Sequence, residues 1–143
     1  MKVHKLIEKT LIGFDYGTRS IGVAVGQTIT KTAQPLAAIH TSDQNKLLNK
    51  INELIELWRP DALVVGNPIN IDGTEQKLTH LTKKFAARLT QQFNLPVHLM
   101  DERLTTLEAR EDLFALGGYK SLTKSQVDSY SAKLILESWM RQG

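Results

Sequence analysis

The apolar positions along this chain change their period twice. Residues 11–16 are a nearly unbroken apolar run, and residues 20–27 set Ile21, Val23 and Val25 against Gly22, Ala24 and Gly26. Strict alternation of this kind predicts strands, the second with one face of small residues. The three residues between them predict a tight hairpin. Residues 32–39 predict a third strand, and Pro35 inside it marks an edge or a bulge. The spacing then lengthens. Leu47, Ile51, Leu54, Ile55 and Trp58 recur at helical intervals. Thr41, Ser42, Asp43 and Gln44 offer a capping box ahead of them, and Pro60 stands where the helix should stop.

Residues 62–66 are almost wholly apolar, the pattern of a parallel strand buried on both faces. A second helix is expected over 74–93, with Leu78, Leu81, Phe85 and Leu89 inward and Lys77, Lys84 and Arg88 on another face. A strand over 97–100 runs into Asp101, Glu102 and Arg103. Residues 105–108 cap a third helix that Gly117 and Gly118 end, and residues 123–126 cap a last helix carrying Val127, Tyr130, Leu134 and Ile135. Three hairpin strands followed by β-α-β crossovers predict an α/β fold: a five-stranded mixed sheet, three strands antiparallel and two parallel, flanked by helices. In open α/β sheets the site lies beyond the carboxyl ends of the parallel strands.

Composition narrows the setting. The 143 residues fit a single domain over 1–143, and a 41% hydrophobic share supports an ordinary core. With no cysteine, disulfides and thiolate metal sites are excluded and a reducing, cytoplasmic setting is expected. No stretch reads as a signal peptide or a membrane span. The net charge of +3 is mildly basic and agrees with a polyanionic partner. The four histidines have no metal-binding spacing.

Three acids stand at the ends of elements. Asp15 closes the first strand, Glu102 closes the last, and Asp128 falls in the expected first turn of the final helix. A carboxylate at the tip of a buried strand is costly unless it is compensated. Gly13 and Gly17 flank Asp15 and would let backbone approach a ligand. Converging carboxylates make a hard-oxygen site for Mg²⁺ or Mn²⁺. Each acid also has a plainer role open to it: Asp15 with Gly17 can make a β-turn, and a helix dipole favours Asp128 unaided. Asp101 competes with Glu102, because alternation forbids both from facing one cleft. Arg19, Arg103, Asn67, Lys77, Lys84 and Arg88 are candidates for contacting nucleic-acid phosphates.

Residues 13–26 (GFDYGTRSIGVAVG), 64–68 (VVGNP) with 72–76 (DGTEQ), 101–110 (DERLTTLEAR) and 127–136 (VDSYSAKLIL) occur in order across nearly the whole chain. Together they resemble the bacterial YqgF/RuvX-type family, described as Holliday junction resolvases and as pre-16S rRNA nucleases. The resemblance implies a ribonuclease H-like fold and an acidic metal site of Asp15, Glu102 and Asp128. It implies a hydrolase that cuts phosphodiester bonds in structured nucleic acid by a two-metal-ion route. Its substrate would be the 5′ end of pre-16S rRNA, with ribosomal particles as partners, or a Holliday junction in DNA. A monomer or weak homodimer is expected. Two features stand out: resolvases and ribonuclease H relatives usually place an acid at the end of the fourth strand, where this chain, like the family it resembles, has Gly66-Asn67-Pro68 and no acid, and Ser129, Tyr130 and Ser131 follow Asp128 where mostly small apolar residues are expected. Two other functions compete. Residues 15–18 also look like the phosphate turn of actin-like ATPases and sugar kinases, and the fold could serve a non-catalytic nucleic-acid binder.

Overall fold

The computed structural model describes residues 8–70, 72–101 and 124–142. Five strands form one mixed sheet in the order β3-β2-β1-β4-β5: β1 is Thr10–Asp15, β2 Ser20–Gln27, β3 Thr32–His40, β4 Ala62–Asn67 and β5 Val97–Asp101. β1 runs antiparallel to β2 and parallel to β4, and β4 runs parallel to β5. The described helices are α1 (Gln44–Trp58), α2 (Lys77–Phe93) and α3 (Lys124–Arg141). Pro35 lies on β3, the edge strand, as its missing N–H demands, and the β2–β3 register shifts between Ile21 and Val23. The third expected helix, over 105–117, lies outside the described residues, as do Glu102 and Arg103. Among the described residues no helix is long and apolar enough to cross a membrane.

The sheet separates two cores. On one face Ile12, Phe14, Val23, Leu63 and Val65 pack with Leu47 and Ile51 of α1 and Phe85 and Leu89 of α2. On the other, Leu11, Ala24, Val64 and Met100 pack with Ala132, Ile135, Leu136, Trp139 and Met140 of α3. The small residues foreseen on one face of β2 are the floor on which α3 lies. Gly13 of β1 completes that floor: a Cβ there would sit 2.4 Å from Leu136 Cγ. The space beside Gly13 is thus filled by packing and does not admit a ligand.

Helix ends depart from expectation in three places, each for a local reason. At α1 no capping box forms. Asp43 is the N-cap, and its Oδ1 accepts from the N–H groups of Asn45 (2.9 Å) and Lys46 (3.2 Å), while its own N–H donates to Thr41 Oγ1. Asp43→Ala should therefore cost about 1 kcal/mol, measured by urea unfolding; an unchanged midpoint would show that the cap is dispensable.

α2 starts at Lys77, not Thr74, because Glu75 folds back against Ile69. Ile69 bridges Glu75, Gly73 adopts φ 89°, and Asp72 Oδ1 accepts from both the N–H (2.9 Å) and the hydroxyl (2.6 Å) of Thr74. The buried stripe of α2 also differs. Thr79 and Thr82 are fully buried, whereas Leu78 and Leu81 are half-buried. Thr79 accepts from the Gln76 N–H at 3.0 Å and donates to the Pro68 carbonyl, so burying its hydroxyl leaves no lost partner.

The third departure is at α3. With the helix beginning at Lys124, Asp128 falls in its second turn, and the first turn holds no acid. The helix dipole, which acts mainly over the first turn, does not account for Asp128.

Candidate functional site

Three parallel strands end on one rim of the sheet, β1 at Asp15, β4 at Asn67 and β5 at Asp101. Alternation assigns each of these residues to a layer. Leu11 and Gly13 face α3, so Asp15 falls on the α3 layer. Met100 belongs to the α3-side core, so Asp101 falls on the opposite layer, in register with Asn67. The ambiguity between Asp101 and Glu102 narrows accordingly: Asp101 does not share a face with Asp15.

Asp128 reaches the same layer from α3. Asp15 pairs with Gly22 across the β1–β2 ladder, and a Cβ on Gly22 would lie 2.0 Å from the Asp128 carbonyl oxygen and 2.8 Å from the Ser129 nitrogen. Only glycine allows the helix backbone this close to β2. Asp15 and Asp128 are therefore neighbours on either side of Gly22. Two hydrogen bonds cross the gap, one to the Asp128 side chain and one to Ser129. Ser20 Oγ donates to Asp128 Oδ2 at 2.9 Å, and the Val23 N–H donates to Ser129 Oγ at 3.2 Å. Ser129 and Ser131 are both buried. The hydroxyls that looked misplaced on this helix face thus sit in close packing, Ser129 as an acceptor for strand backbone.

The remaining candidates divide. Arg19 is exposed in the turn between β1 and β2. In the same turn Tyr16 tilts against Phe85 with ring centroids 4.7 Å apart, which anchors the turn to the other layer. A Cβ on Gly17 would meet the Ser20 carbonyl oxygen at 2.6 Å, so the turn itself requires glycine there. Asn67 ends β4, and its buried Oδ1 has no hydrogen-bond partner among the described residues. Lys77, Lys84 and Arg88 are exposed on α2, in the layer away from Asp15 and Asp128. Lys77 opens the helix near the rim. Lys84 and Arg88 follow about 10 and 16 Å further along its axis, and Arg88 donates to Gln44 Oε1 at 2.8 Å. The structure does not bring Lys84 and Arg88 to the acids.

The loop leading into α2 is acidic and ordered by its own contacts. Hydrogen bonds from the Thr74 hydroxyl and backbone hold the Asp72 carboxyl below its ordinary range. A hydrogen bond and charge from Lys83 lower Glu75 in the same way. A groove of about 570 Å³ lies between β3 and α1, lined in part by Ala37, Ile39, Lys46 and Leu57. It opens on the layer opposite Asp128 and holds no acid pair, so the chemistry points to the rim and not to this groove.

A divalent cation fits the donor chemistry of the α3 layer. Asp15 and Asp128, which carry hard oxygen donors, lie on one layer on either side of a glycine whose missing side chain lets the helix backbone come close. Among the described residues no cluster of three possible ligands forms, and the third expected acid, Glu102, is outside them.

Residues 9–142 match the family described as "RuvX: Holliday junction resolvase". The chain belongs to the RuvX family. It is 56% identical over 136 residues to a Glaesserella parasuis protein named "Putative pre-16S rRNA nuclease", spanning 95% of this chain and 99% of the relative. RuvX relatives of the same name include one from Shewanella oneidensis (55% over 131 residues, 92% and 93% of the two chains) and one from Escherichia coli (54% over 134 residues, 94% and 97%). In fold, the chain is similar to Thermus thermophilus RuvC in complex with a Holliday junction substrate, at a TM-score of 0.60, 16% identity and coverage of 94% and 96%. It is also similar to the fowlpox virus resolvase bound to Holliday junction DNA, at 0.59, 12% identity and coverage of 93% and 97%. The expected ribonuclease H-like sheet is thereby borne out.

Sequence reasoning missed Ser20 and the docking role of Gly22. The signal for Gly22 was present in the small-residue face of β2. Ser20 carried only one: a polar residue at the head of an otherwise apolar strand.

Proposed function

We propose that this RuvX protein is a metal-dependent nuclease that hydrolyses phosphodiester bonds in structured nucleic acid, with the 5′ end of pre-16S rRNA as substrate. The observation that supports the reading best is the convergence of Asp15 and Asp128 around Gly22. The names of relatives that cover nearly the whole chain favour rRNA over a DNA junction. Asp15, Asp128 and Glu102 would hold Mg²⁺ or Mn²⁺. Glu102 enters because Asp101, its competitor, lies on the other layer. The bound cations, two in this reading, would supply an activated water and stabilise the leaving oxygen.

The chain's own residues supply positioning and field. Asp15, on a central strand of the sheet, and Asp128, on the docked helix, keep fixed backbones, so their carboxylates need little reorganisation. Arg19 in the β1–β2 turn, Arg103, Asn67 and Lys77 near the rim would meet backbone phosphates. Lys84 and Arg88 would extend that path over the far layer only for a substrate that wraps the rim. The reading places the protein in the cytoplasm, as one nuclease domain over 1–143, working on ribosomal particles as a monomer or weak homodimer.

The rival nucleotide-binding role predicts ATP affinity in the presence of Mg²⁺. The deciding experiment incubates purified protein with 5′-extended 16S precursor and with a four-way DNA junction, with Mn²⁺ or with EDTA. Metal-dependent trimming of the RNA is expected. Cleavage of the junction alone would redirect the assignment to DNA, and cleavage of neither, with tight ATP binding, would overturn it.

A further inference from the structure

We propose that Ser20 is a positioning residue that orients the Asp128 carboxylate for the cation. The inference rests on the reading of Asp128 as a metal ligand.

Ser20 is the first residue of β2 and is 8% exposed. Its hydroxyl donates to Asp128 Oδ2 at 2.9 Å across 108 residues of sequence. A hydrogen bond to an ionised carboxylate is stronger than one between neutral groups and sets the carboxylate's direction. The decisive point is what else holds α3. The Gly22 contact fixes the Asp128 backbone, and the Val23 N–H bond to Ser129 Oγ fixes the next residue. The helix is seated without Ser20. The Ser20 hydroxyl therefore acts on the torsions of one side chain. A strand-borne donor that clamps an acid while other contacts hold its helix is the arrangement that tunes a ligand. Such outer partners of metal ligands are worth 10–100-fold in affinity or activity.

The test compares the full chain carrying Ser20→Ala, Ser20→Thr or Asp128→Asn with wild type. Mn²⁺ affinity of the metal-free protein is read by electron paramagnetic resonance of free Mn²⁺, and the fold by thermal melting. Ser20→Ala should melt close to wild type and bind Mn²⁺ about tenfold more weakly, and Ser20→Thr, which keeps the hydroxyl, should recover most of the affinity. If Asp128→Asn loses Mn²⁺ while Ser20→Ala binds it like wild type, the positioning role is overturned and the site reading stands. If Asp128→Asn itself binds like wild type, Asp128 is no ligand and both fall. If Ser20→Ala melts far below wild type and threonine restores the melting but not the affinity, the hydroxyl is a staple for α3 and the inference is overturned.

Discussion

Gly22→Ala should lower stability by about 2–3 kcal/mol and remove nuclease activity with it. The added methyl would fall 2.0 Å from the Asp128 carbonyl oxygen and 2.3 Å from its carbon, both backbone atoms that cannot swing aside. Either β2 bends or α3 lifts, and lifting α3 parts Asp128 from Asp15. For a chain of this size the thermal midpoint should drop by roughly 6–15 °C. Gly26→Ala is the control. Its new methyl meets the ends of flexible side chains, Met140 Cε at 3.0 Å and Leu136 Cδ1 at 3.3 Å, so its cost should stay near 1 kcal/mol or below. Equal melting of Gly22→Ala and wild type would mean that α3 does not sit as described.

Asp15→Asn should reduce metal-dependent cleavage at least about a hundredfold, since even outer partners of ligands cost up to that much. It should leave the fold unharmed. Asp15 ends a strand whose neighbours Leu11, Ile12 and Phe14 carry the packing. Asp15 and Asp128 lie on one layer of the sheet, and removing one of two like charges relieves any repulsion between them, so the midpoint should stay level or rise. Circular dichroism melts alongside RNA cleavage assays read both effects. A variant that cuts like wild type removes Asp15 from the site, and one that unfolds assigns it a structural duty instead.

The mixed sheet was legible because strand patterning in this chain is nearly unambiguous. Alternation in 20–27 and the apolar block at 62–66 separate hairpin strands from buried parallel ones, whereas the order of strands across the sheet comes from the structure. Position within elements was harder. Alternation from Met100, visible only with α3 in place, moves Asp101 off the Asp15 face. Apolar spacing does not locate the start of α2, and only the bridge from Ile69 to Glu75 shows that the chain is still turning at Thr74. Lys77, Lys84 and Arg88 were rightly read as one helix face, but periodicity within a helix does not say which side of the sheet that helix will cover. Ser20 was invisible for the reason that makes it informative: its partner is 108 residues away.

That separation also affects when the protein can act. Residue 15 emerges early from the translating ribosome and residue 128 near the end, and they meet only once the last helix has landed on the β2 floor. A chain lacking α3 has Asp15 but neither Asp128 nor the Ser20 bond to it. Under the site assignment proposed above, hydrolytic competence then waits for the last helix to be made, and an unfinished chain stays silent while it is still tethered to a particle made largely of RNA.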